Sequence, residues 1–245
     1  MELAILYNLL LQLLPAMSLS PSSSVVQPTV FNIRRYQPTD NQGIKDLFAT
    51  NIQEEWGEVY HEGRYLSNAQ RYIDSVVNDD DATDSDLNNV ERTYFCNGGY
   101  FWVLTCTITN STAEKSDDDN NDTTEEEKEE EIITGTCGLQ RISNTEAELR
   151  RVCISKSHRS NGWGSQLVQL AMDRVKTHEE MKNVTKVIVS TIEHSVDGID
   201  FYKTKHDFVD TIDECTRLPK ITKGVHGTPI DEKGCCEVFM EYKVR

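Results

Sequence analysis

The stretch Glu148-Leu149-Arg150-Arg151-Val152-Cys153-Ile154-Ser155-Lys156-Ser157-His158-Arg159-Ser160-Asn161-Gly162-Trp163-Gly164 leaves this chain few ways to fold. Its first half alternates and carries Val152 and Ile154, as a strand does. Its second half is a tight, basic turn containing two glycines. From Ser165 to Thr177, Leu167, Leu170, Ala171 and Val175 fall at helical spacing. Strand, turn and helix therefore adjoin. Gly162 and Gly164 allow backbone N–H groups to approach an anion, and a helix start adds partial positive charge. The turn suits a phosphate.

The rest of the chain can be read around that unit. Val30–Tyr36 is predicted as a first strand, and Thr39 or Asp40 can cap the helix that follows, with Ile44, Leu47, Phe48 and Ile52 on its apolar face. Gly57–Gly63 is expected to break that helix, and Leu66, Ala69, Tyr72, Ile73 and Val76 predict a second one over Tyr65–Val77. The run Asp79–Asp86 resembles a calcium loop but has neither its central glycine nor its terminal glutamate. It reads instead as a solvated helix end followed by a short helix, Asp86–Tyr94. Tyr100–Thr109, Ile132–Arg141, Lys186–Ile192, Phe208–Ile212 and Val238–Val244 are predicted strands, and Ser195–Lys205 a helix. The fifth strand should run parallel to the fourth, because a helix joins them. Asp213–Cys236 reads as a surface loop or a flap over substrate.

Charge and cysteine usage narrow the function classes. The 245 residues carry a net charge of −16, which argues against nucleic acid as a ligand. Glu114–Glu131 alone holds 11 acidic residues and 2 lysines, −9 in all, which leaves −7 for the remainder. That tract has no apolar residue with which to offset its ordering cost, so it is expected to be a disordered insertion at about 111–131. The seven cysteines show no metal spacing, so no metal site is expected, and Cys106, Cys137 and Cys153 lie in strand-like runs as reduced core thiols. The compartment is read as reducing and cytoplasmic. Residues 1–27 form an apolar extension and a Ser/Pro linker. The apolar part is no clear membrane span, but it leaves a secretory or organelle address, or attachment to a membrane surface, open. Residues 28–245 form one domain, and nothing in the sequence speaks to oligomeric state.

The turn is neither a dinucleotide nor a P-loop signature. Arg159-Ser160-Asn161-Gly162-Trp163-Gly164 instead resembles the Arg/Gln-x-x-Gly-x-Gly/Ala pyrophosphate signature of the GNAT (Gcn5-related) N-acetyltransferases. Ile199, Phe201, Tyr202 and Phe208 fit that superfamily's C-terminal pattern, with Ser195 where asparagine is usual and Asp207 at a glycine position. The opening Ile33–Asp40 and Phe101-Trp102-Val103 look like the camello-like branch, but the membrane segment of that branch is missing between the first two helices. The resemblance implies an α/β GNAT fold with a mixed, mostly antiparallel sheet splayed between strands 4 and 5. It implies acetyl-CoA as co-substrate and a primary amine, on a small molecule or a protein, as acceptor. Val152, Cys153 and Ile154 would face the pantetheine arm, Arg159–Ser165 the pyrophosphate, and Ser195 the pantetheine again. Glu148 would be the base and Tyr202 the acid, with His194 a further candidate. Two plainer readings stand beside these. Glu148 could simply pair with Arg150, and the whole chain could be a CoA-binding interaction module that does not catalyse.

Overall fold

The computed structural model describes residues 30–59, 86–111, 127–192, 195–212, 221–223 and 236–244. The expectations for residues 1–27, the helix over 65–77, residues 79–85 and His194 lie outside them.

Eight strands form one sheet: β1 (Val30–Arg35), β2 (Tyr100–Ser111), β3 (Glu127–Arg141), β4 (Glu146–Ile154), β5 (Lys186–Ile192), β6 (Val209–Asp210), β7 (Ile221–Lys223) and β8 (Cys236–Lys243). Their order is β1-β2-β3-β4-β5-β8-β6, and β7 also pairs with β8. Every neighbouring pair is antiparallel except β4 with β5. The described helices are α1 (Asn41–Val59), α2 (Val90–Tyr94), α3 (Trp163–Thr177) and α4 (Val196–His206).

Alternation along the strands divides the core between two faces. Trp102, Leu104, Leu139, Ala147 and Leu149 pack with Leu167, Val168, Ala171 and Val175 of α3 and with Tyr202 of α4. Phe101 and Val103 point the other way, to Tyr36, Ile44 and Ile52 of the α1 region and to Leu87, Val90 and Tyr94. Arg34 fixes the entry to α1 by donating to both oxygens of Asp40, at 2.7 and 2.8 Å.

Several boundaries depart from the sequence reading. α1 runs through Gly57 to Val59, so the glycine does not end it. Asp86–Asn89 is a turn, and the short helix begins only at Val90, because the Asp86 carboxylate is taken by a distant arginine and caps nothing. β3 starts at Glu127, five residues inside the acidic tract, where backbone pairing with β2 extends to Ser111↔Glu127 without any need for apolar side chains. β7 lies within the segment read as a loop or flap. Asp207 takes the left-handed conformation expected of a residue at a glycine position, with φ 57°.

β4 positions the site. Its pairing with β5 covers only Glu146–Leu149, opposite Lys186–Val189. β5 continues along β8 as far as Ile192, while β4 leaves it and keeps to β3. The sheet therefore opens into a fork between Arg150–Ile154 and Ser190–Ile192. A bulge marks the point of departure: Gly138 faces Arg150 and Thr136 faces Cys153, so β4 carries one extra residue. Arg151 sits in the bulge at φ 55°.

Candidate functional site

The bulge is held by its side chain. Arg151 donates through Nη2 to Asp86 at 2.6 Å and through Nε to both oxygens of the same carboxylate, and its guanidinium lies 4.7 Å from the centre of the Phe48 ring. Asp86, 3 % exposed, also accepts from the Tyr94 hydroxyl. Burial alone would raise the Asp86 pKa. The charge and hydrogen bonds of Arg151, helped by Arg150 and Tyr94, outweigh that and bring it down to about 2. Thr136 Oγ1 donates to the Arg151 carbonyl at 2.7 Å from the β3 side. A left-handed arginine, costly by itself, is thus fixed from both ends.

Beyond the bulge, Val152 and Ile154 pack toward the α3 face. Cys153, only half-buried, accepts a hydrogen bond from Asn51 Nδ2 at 2.8 Å. Cys106 and Cys137, by contrast, are fully inside the core. The turn that follows is built from backbone specials. Ser160 has φ 64° and Gly162 has φ 82° at the N-cap of α3. Among the described residues, a Cβ built on Gly162 would meet nothing within 4 Å, so that side of the turn is open to them. The first intrahelical bond is Gln166 N–H to Gly162 O, 3.0 Å, so the N–H groups of Trp163, Gly164 and Ser165 precede the helical ladder. A Cβ on Gly164 would stand 3.5 Å from Phe201 and 3.7 Å from Ile154, an ordinary contact.

Two residues expected to meet ligand are occupied within the protein. Trp163 stacks on Phe31 of β1, with centroids 5.0 Å apart. Arg159 donates through Nε to the Ile154 carbonyl at 3.0 Å and through Nη2 to Asn51 Oδ1 at 2.7 Å. Asn161 Nδ2 donates to the His158 carbonyl at 3.3 Å and closes the turn. Beside it, α1 (Leu47, Thr50, Asn51, Glu54) and Ser155–Ser157 line a pocket of about 430 Å³.

The candidate catalytic side chains approach the fork from opposite faces. Tyr202 is buried in the α3/α4 core. Burial pushes its pKa far up, and the Cys137 and Cys153 thiols lie near enough to add to that. Glu148 alternates with buried Leu149, so it lies on the other face, in the last stretch paired with β5. Its carboxylate stands 3.9 Å from Arg150 Nε, so the plainer pairing weighed from sequence is present. Ser195 is the N-cap of α4 without a capping bond; its Oγ lies over Gly198, 2.6 Å from where a Cβ there would be. Sequence reasoning missed Asn51, Asp86 and Arg151. Asn51 had one available signal, as a polar residue beside Ile52 on a face predicted to be apolar.

Residues 123–210, from the approach to β3 through β6, match the family profile described as Acetyltransferase (GNAT) domain. That stretch is similar to a GNAT acetyltransferase domain. Solved structures agree on the fold. The PaiA N-acetyltransferase from Thermoplasma acidophilum, in complex with coenzyme A, is similar at a TM-score of 0.53 and 16% identity, over 88% of this chain and 99% of that one. A GNAT-family acetyltransferase from Staphylococcus aureus Mu50 gives 0.52 and 17%, over 88% and 100%. An acetyltransferase from Streptococcus agalactiae gives 0.51 and 16%, over 87% and 98%. No curated protein matches significantly. Among the described residues, no helix is long and apolar enough to cross a membrane, and no cluster of His, Cys, Asp and Glu is arranged to hold a metal ion.

Proposed function

We propose that this chain binds acetyl-CoA in the fork and transfers the acetyl group directly to a primary amine. The observation that carries the reading is the fork itself: β4 abandons β5 after Leu149, beside a turn whose Gly162 side is open. The residues fit the donor. Arg150–Ile154 offer strand backbone on the side that β5 leaves, and the start of α3 with the left-handed Ser160 and Gly162 offers N–H groups to a pyrophosphate. Acetyl-CoA, when bound, supplies an activated thioester carbonyl. Glu148, directly or through a water, takes the proton that a protonated amine must lose. Tyr202, kept protonated by burial, donates a hydrogen bond to a departing thiolate from the opposite face. Cys153 need not act as a nucleophile.

Calorimetry with acetyl-CoA on the full chain tests the binding half. Micromolar affinity in the parent, abolished in Gly162→Asp/Gly164→Asp, is expected. Thiol release across a panel of primary amines tests the chemistry. Tyr202→Phe is then expected to lower kcat by roughly 10²-fold, a typical loss for one acid–base group, while affinity for acetyl-CoA stays. The Glu148–Arg150 contact favours a second reading, a CoA-binding module without turnover. Tight binding with no thiol release on any amine would select it.

A further inference from the structure

Asn51 is the point where α1 touches both the departing strand and the phosphate turn. Its side chain is 4 % exposed, and both ends of its carboxamide are used: Nδ2 donates to Cys153 Sγ at 2.8 Å and Oδ1 accepts from Arg159 Nη2 at 2.7 Å. Arg159 Nε completes the triangle on the Ile154 carbonyl at 3.0 Å. One amide thus ties the first residue of the turn signature to two consecutive residues of β4 beyond the bulge. An arginine on an exposed turn would otherwise sample many rotamers, and ordering it at the moment of binding would cost affinity. A guanidinium held at Nε and Nη2 keeps its plane in a set orientation.

We infer that Asn51 is a positioning residue for donor binding, acting through Arg159 to hold the phosphate turn in register with the fork. The inference rests on the acetyl-CoA reading above and adds to it a role for α1. The effect of Asn51 passes through the guanidinium, which sets it apart from a residue that merely fills space between α1 and β4.

The test is a double-mutant cycle on the full chain, with acetyl-CoA affinity read by calorimetry and folding followed by thermal melting. Asn51→Leu removes both hydrogen bonds, and the Kd is expected to rise by roughly tenfold, the scale of one hydrogen bond to a charged group. Asn51→Asp keeps an acceptor for Arg159 and loses the donor to Cys153, so its Kd is expected to stay within about threefold of the parent. Arg159→Leu sets the limit. If Asn51 works through Arg159, adding Asn51→Leu to Arg159→Leu raises the Kd no further. Additive losses in that cycle, or equal losses in Asn51→Asp and Asn51→Leu with unchanged melting, would overturn the inference and leave the acetyl-CoA reading standing. Absence of binding in the folded parent would overturn both.

Discussion

The two halves of β4 follow opposite rules. Glu146–Leu149 is paired on both edges, with Ala147 and Leu149 buried and Glu148 on the other face, as a central strand should be. Arg150–Ile154 is paired on one edge only, carries a bulge, and depends on side chains from outside the sheet: Asp86 for Arg151, Asn51 for Cys153, Arg159 for Ile154. The lower half stores stability in apolar burial. The upper half gives up burial and ladder bonds, and in return presents strand backbone where a ligand can reach it. One strand therefore serves as core and, in the proposed reading, as binding edge, with the change made at a single left-handed residue.

Substitutions on either side of that residue should separate the two roles. Leu149→Ala strikes the core half and is expected to cost about 4 kcal/mol in chemical denaturation, by the usual penalty for a cavity at a fully buried leucine. Asp86→Ala strikes the upper half, leaving the Arg151 charge half-enclosed, and should cost roughly 3 kcal/mol. In the active protein, that variant should also weaken acetyl-CoA binding, whereas Leu149→Ala should not until it unfolds.

The same ion pair makes a pH signature. The Asp86 pKa is depressed in the folded chain, so its contribution is complete above the ordinary carboxylate value and is lost as pH falls toward about 2. Urea melts from pH 5 down to pH 2 should show a decline of about 2 kcal/mol from this group. Asp86→Asn should remove that component of the slope, and an unchanged slope would sink the assignment.

The two glycines of the turn give the smallest and most discriminating pair. Gly162→Ala meets no atom but must hold φ 82°, so it should lose about 1 kcal/mol of stability. Gly164→Ala lies within the first turn of α3 at ordinary contact distances and should be neutral or gain up to about 0.5 kcal/mol. Thermal melting of the two variants checks the contrast. Equal losses would mean that crowding, not backbone conformation, governs the turn.

How much of this was legible in the sequence follows from the same division. β4 as a strand, α3 and the parallel β5 were readable because side-chain pattern writes a period into the chain: Val152 and Ile154 alternate, and Leu167, Ala171 and Val175 recur every fourth residue. The left-handed Asp207 was readable from its place in a pattern. The bulge was not. Arg151 falls in a run that scans as a regular strand, and what permits its conformation is an aspartate 65 residues away in an acidic cluster that looked merely solvated. Asn51 stood out as a polar residue within an apolar face, but its partners, Cys153 and Arg159, lie more than 100 residues away. Periodicity reports burial, and neither residue is placed by burial alone. The start of β3 at Glu127 was illegible because β2 supplies backbone partners there and side-chain chemistry contributes little.

That extension of β3 bears on how anything reaches the fork. Among the described residues β1 accompanies β2 to Thr107, and Ile108–Ser111 pair with Glu127–Glu130 beyond it as a ribbon. Ile154 pairs with Gly135, so the ribbon rises from the same end of the sheet as the turn, and Glu129, Glu130 and Glu131 lie exposed on it. Exposed carboxylates at that end would add a negative contribution to the field a ligand meets there. An anion is slowed on approach and a protonated amine is drawn in, and both effects fade as salt shortens the screening length to about 10 Å at 0.1 M. Glu129–Glu131, carried on the ribbon, would then bias the traffic of charged molecules to the fork.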